Sequence, residues 1–150
     1  MPMITNSRPP ALTVKQSGDS LVFRGLSFRA AFDTGIGTLT TIDYGFGQLL
    51  EGPLQPVIRY SGRTPALRLS RVLRNVADGC HCLTFFYKGG GIAGFLICHF
   101  QIWPDGEITI EAAVRTRVDL VAFDFWDGEE KDQPLPAGPI HKINACIRRP

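Results

Sequence analysis

Residues 28–56 read FRAAFDTGIGTLTTIDYGFGQLLEGPLQP. Phe28, Ala30 and Phe32 alternate with Arg29 and Ala31, the period-two pattern of a strand with one buried face. Asp33 to Gly37 supply turn residues, and Thr38 to Tyr44 resumes with β-branched and aromatic positions, so the pair predicts a hairpin. A second turn at Gly45, Phe46 and Gly47 precedes Gln48-Leu49-Leu50, and Gly52-Pro53 closes the run.

Outward from this stretch the same alternation recurs. Strands are predicted at Leu12–Lys15, Leu21–Phe32 with a break near Gly25, Thr38–Tyr44, Val57–Tyr60, Ala66–Leu73, Cys80–Lys88, Ile92–Trp103, Glu107–Val118 and Ile140–Ile147. Leu69, Val72, Leu73 and Val76 also follow helical spacing between Thr64-Pro65 and Gly79, so residues 66–76 fit a helix as well as a strand. Residues 1–10, with Asn6, Ser7 and two prolines, predict a disordered arm, leaving 11–150 as one β-sandwich domain. Asp127 to Gly138, acidic and proline-rich, predict a loop.

The chain has 150 residues, 44% of them hydrophobic and 20% charged, enough for one sizeable core. A net charge of +2 and no basic tract interleaved with aromatics argue against nucleic acid as a partner. The amino terminus lacks the charged start and apolar core of a secretory signal, and the run from Ile92 to Phe100 is too short for a membrane helix. The expectation is a cytoplasmic protein without a membrane partner, whose cysteines Cys80, Cys82, Cys98 and Cys146 stay reduced.

The order of elements from Phe28 to Pro56, followed by alternating strands through Arg68 to Val114 and a WPDGEITIEAAV segment, resembles the start of the small-chain, C-terminal β-sandwich domain of the β-galactosidases. The resemblance covers roughly residues 11 to 118. It implies an all-β antiparallel sandwich of the galactose-mutarotase-like supersandwich type, cut short, and favours a strand at 66–76. It implies no catalytic residue here, because the glutamates of that family sit in a separate barrel. The family's Asp-Asn-Asp after Gly-Pro is missing, and only Arg59 matches as an inherited contact.

Placing Gly89, Gly90 and Gly91 as a short hairpin loop pairs Lys88 with Ile92, which sets Cys82 across from Cys98 and His81 across from His99. The Pro104-Asp105-Gly106 turn pairs Trp103 with Glu107 and brings His99 opposite Glu111. One face then carries Cys82, Leu96, Cys98, Phe100, Ile102, Ile108, Ile110, Ala112 and Val114 as core. The other carries Leu83, Phe85, Phe95, Ile97 and Ala113 beside His81, His99, Glu111, Arg115 and Arg117, apolar enough to call for a cover. His81, His99 and Glu111 in one row have the chemistry of zinc ligands, while a polar ladder is the ordinary outcome of such a row. On a strand, Cys80 and Cys82 share a face and His81 takes the other. Cys82 and Cys98 are either a bridge or two buried thiols.

For sugar binding the candidates are the aromatics Tyr60, Trp103 and Trp126, with Arg59 and Arg63 near Tyr60, because rings stack on sugar faces and cations take hydroxyls. Asp124, Asp127, Glu129, Glu130 and Asp132 crowd a proline-rich segment, which suits solvation better than glycosidase chemistry. No G-x-S-x-G elbow or phosphate loop occurs, and no cofactor is expected. The sequence therefore predicts a non-catalytic, carbohydrate-associated module. Two alternatives stand beside it: a small subunit completing a glycoside hydrolase of the β-galactosidase type, and a structural homo-oligomer.

Overall fold

The computed structural model describes residues 12–50, 52–60, 64–89, 95–125 and 135–150. The arm at 1–10, Arg63, Trp126 and most of the acidic loop lie outside the described residues. The architecture is all-β and antiparallel, with no helix among the described residues.

The opening stretch folds as a meander. Strands β1 (Thr13–Ser17), β2 (Ser20–Arg24), β3 (Arg29–Asp33) and β4 (Thr38–Asp43) pair in sequence order into a four-stranded sheet. Its turns are built by side chains: Asp33 Oδ1 accepts from the Gly35 and Ile36 amides, and Asp43 Oδ1 from those of Gly45 and Gly47. These are the local bonds by which aspartate favours turns over strands. Gln48 extends the sheet with its side chain, accepting from the Ile42 amide at 2.8 Å and donating to the Thr40 carbonyl at 3.0 Å.

The second sheet comprises β6 (Leu67–Ala77), β7 (Cys80–Gly89), β8 (Phe95–Ile102), β9 (Ile108–Arg115) and β11 (His141–Ile147), in the order β11-β9-β8-β7-β6. Between the sheets in sequence lies β5 (Val57–Arg59), paired with β10 (Ala122–Asp124), a three-residue strand that the sequence pattern did not mark. Residues 67–77 are strand, and a bulge at Ser70 accounts for the three-residue spacing of Leu69 and Val72. The extra residue shifts the register between Leu69 and Arg71, so Leu69 and Val72 both point inward although they are three apart.

The sheets pack as a sandwich around aromatic contacts. Phe32 of the first sheet meets Phe100 and Phe85 of the second at ring-centroid distances of 5.0 and 6.3 Å, and Phe23 stands edge-on to Phe32 at 5.7 Å. T-shaped and tilted pairs at such distances add to the burial of large apolar rings. Two tyrosines stitch the sheets at opposite ends. Tyr87 of β7 donates to the carbonyl of Gly37 in the β3–β4 turn, and Tyr44 after β4 donates to the carbonyl of Gly106 in the β8–β9 turn at 2.7 Å.

One expected register is corrected. The β8–β9 ladder is as expected, with His99 opposite Glu111. In the β7–β8 ladder His81 lies opposite Ile102, not His99, and Cys82 lies opposite Gln101. Tyr87 pairs with Leu96, a register offset by three from the one that a loop of Gly89, Gly90 and Gly91 required. An odd offset exchanges the faces of β7: Leu83 and Phe85 turn into the core, while Cys80, Cys82 and Thr84 take the opposite face, where both thiols are nonetheless buried. A bridge between Cys82 and Cys98 is thereby excluded, since they lie on opposite faces, and all four cysteines are free thiols.

Candidate functional site

The registers of β6 to β11 order the outer face of the second sheet into cross-strand rows. One runs Leu73, Thr84, His99, Glu111, Asn144, and the next Asn75, Cys82, Gln101, Thr109, Cys146. Period-two alternation places these side chains on the face away from Phe85 and Phe100. Over β8, β9 and β11 this face is hollowed into a groove of about 630 Å³, lined by His99, Gln101, Glu107, Thr109, Glu111 and Asn144, with Cys146 and Arg148 at one side.

Neighbouring strands hold the floor in place. Thr84 Oγ1 and His99 Nδ1 share a 2.7 Å hydrogen bond, and Thr109 Oγ1 donates to Gln101 Oε1 at 2.8 Å. At the rim, Glu107 Oε1 accepts from Cys146 Sγ at 3.1 Å and lies 3.4 Å from Arg148 Nε. Both partners are exposed, so this contact orients the carboxylate more than it stabilises the fold. Glu111 and Asn144 stand directly opposite each other with exposed side chains that make no hydrogen bond among the described residues.

The expected site residues scatter. His99 and Glu111 reach the groove, as the β8–β9 register required. His81 does not join them. It lies on the core side, its ring 5.5 Å from that of Phe23, and its pKa is lowered by burial and then by the Arg74 charge. The zinc-type row is thus corrected to a row in which Thr84 stands in the place expected of His81. Among the described residues no group of three or more His, Cys, Asp or Glu is placed to hold a metal ion.

Tyr60 is buried in the core, which corrects its placement as an exposed stacking ring. Arg59 is half-buried on β5, opposite Ala122, outside the groove. Trp103 follows β8, half-buried, its amide donating to the Glu107 carbonyl at 2.9 Å; it does not line the groove. Arg63 and Trp126 fall outside the described residues, as do Asp127, Glu129, Glu130 and Asp132, while Asp124 is exposed on β10.

Gln101 and Thr109 were missed although alternation put them on the same face as His99 and Glu111. Asn144, Cys146 and Arg148 carried no such signal, because their place depends on β11 pairing with β9 across the chain. No protein-family model and no curated protein sequence matches this chain.

Proposed function

We propose that the protein is a non-catalytic, carbohydrate-associated β-sandwich module whose ligand lies in the groove over β8, β9 and β11. The observation that carries this reading is the facing pair Glu111 and Asn144, a carboxylate beside an amide with their polar atoms turned to solvent. Together they offer acceptors and donors at the spacing of neighbouring strands, which suits the adjacent hydroxyls of a sugar. His99 and Gln101, held by Thr84 and Thr109, supply a second polar line beneath. The resemblance of residues 28–56 to the β-galactosidase small chain supports the same ligand class.

The groove does not suit glycoside hydrolysis. Its two carboxylates, Glu111 on β9 and Glu107 just before that strand, are four residues apart, roughly 13 Å between Cα positions if extended at about 3.3 Å per residue. Retaining enzymes hold their carboxyl groups about 5 Å apart and inverting ones under about 10 Å. Glu107 is also turned toward Arg148 and Cys146 rather than toward Glu111.

Isothermal titration with galactosides and oligosaccharides tests the reading. Saturable heat that is reduced about tenfold in affinity by Glu111→Ala or Asn144→Ala is expected, each lost pair of bonds contributing on the order of 1.4 kcal/mol. No heat at millimolar ligand overturns it. A second reading, docking on a glycosidase subunit or a second copy, is favoured by the partly exposed Phe86, Phe95 and Ile97 at the other end of the same face. Light scattering across a concentration series checks the self-association half, and a persistent monomer refutes it.

A further inference from the structure

The outer face of the first sheet carries a different chemistry. Cross-strand pairing puts Thr13, Arg24 and Arg29 in one row over β1, β2 and β3, with Lys15 in the same face two residues along β1. These residues, together with Ser17, Ser20 and Val22, line a hollow of about 440 Å³. Three cations and three hydroxyls surround it, and no carboxylate lines it.

Arg24 and Arg29 are directly opposite each other on adjacent strands. Like charges so placed repel, and sheets ordinarily avoid them or interpose a carboxylate. Asp43 lies opposite Arg29 on β4, with its Oδ1 engaged by the Gly45 and Gly47 amides. Asp33, at the far end of β3, is likewise turned to its own loop. Neither arginine nor Lys15 makes an ion pair among the described residues. The loop between them keeps their backbones adjacent: Gly25 donates to the Phe28 carbonyl at 3.1 Å, and a Cβ on Gly25 would fall 2.2 Å from the Phe28 ring. The fold thus sets two exposed arginines opposite each other on β2 and β3, neither of them in an ion pair among the described residues. A guanidinium fork matches the oxygens of phosphate or sulfate, and hydroxyl and ammonium donors complete such a shell.

We propose that this hollow is a second ligand site, selective for an oxyanionic group such as a phosphate or sulfate ester, with Arg24 and Arg29 clasping the anion and Lys15 and the serine and threonine hydroxyls around it. It is independent of the groove on the opposite sheet.

The test titrates the full chain with inorganic phosphate, inorganic sulfate and a sulfated disaccharide, at constant ionic strength held with chloride, and follows heat and melting temperature. Saturable binding is expected, weakened about tenfold by Arg24→Gln or Arg29→Gln and unchanged by Lys142→Gln on the other sheet. Without anion, Arg24→Gln should melt no lower than the parent, because the substitution relieves the repulsion; this separates loss of the site from loss of the fold. Equal affinity for all three probes identifies the free anion as sufficient. Tighter binding of the disaccharide identifies a glycan ester, and both patterns support the site. A response reproduced by chloride alone, or retained in both variants, overturns it, as does binding of an oligonucleotide with none of the three small anions.

Discussion

The pair of tyrosine stitches gives the sandwich a measurable energetic signature. Tyr87→Phe keeps the ring in the core and removes one hydroxyl, leaving the Gly37 carbonyl without its donor beneath a nearly closed surface. A buried group so orphaned costs about 1–3 kcal/mol. The hydroxyl is deeply buried, and burial pushes its pKa well above the usual phenol range, so the dry end of that span, about 2–3 kcal/mol, applies. Tyr44→Phe removes the corresponding bond to Gly106 at the other end. Tyr44 is less deeply enclosed, its pKa raised to about 12 by burial and then by Asp105, and about 1–2 kcal/mol is expected. The stitches share no partner, so the double variant should lose the sum within about 0.5 kcal/mol. Urea unfolding followed by tryptophan fluorescence reads this directly: with a slope of about 2 kcal/mol per molar, Tyr87→Phe moves the midpoint down by about 1 M. A shift under about 0.2 M for both single variants would refute the inter-sheet role of these hydroxyls.

Further outcomes follow from the same structure. In the native protein a thiol reagent should modify exposed Cys146 quickly and Cys80, Cys82 and Cys98 only on unfolding, since burial raises the Cys80 thiol to about 11 and that of Cys98 further; mass spectrometry after brief labelling checks this, and early modification of Cys98 would contradict its place in the core. Because the folded state lowers the His81 pKa below its ordinary 6.5, the unfolded chain binds the extra proton as pH falls below about 6.5, and stability should drop there. His81→Gln should flatten that part of the curve relative to the parent, and parallel unfolding midpoints between pH 7 and 5 would rule the linkage out. Gln48→Ala should cost about 1–2 kcal/mol in thermal unfolding, because one side chain supplies two bonds to β4; a neutral variant would show that water replaces it without loss.

The fold class was legible because its signals are local. Phe28 to Phe32 alternate, aspartates and glycines mark the turns, and Pro104-Asp105-Gly106 specified the β8–β9 register closely enough to put His99 opposite Glu111. Half of the groove could be read from those two residues. Its other wall could not, since nothing in HKINACI states that it lies beside β9 rather than along another free edge.

Alternation by itself determined that this chain forms antiparallel sheets with one apolar side per strand, because each residue's side is fixed by its immediate neighbours. Tertiary structure decided which side that was wherever the connection was not a tight turn. On β7 the period-two pattern of CHCLTFFYK supports either face, and only packing of Phe85 against Phe32 and Phe100 selects the one that sends His81 inward and Thr84 out to His99. In β6 the bulge at Ser70 put Leu69 and Val72 on one face, three apart, for the same reason: a register is settled by what lies across the ladder, at a distance in sequence that no local pattern spans.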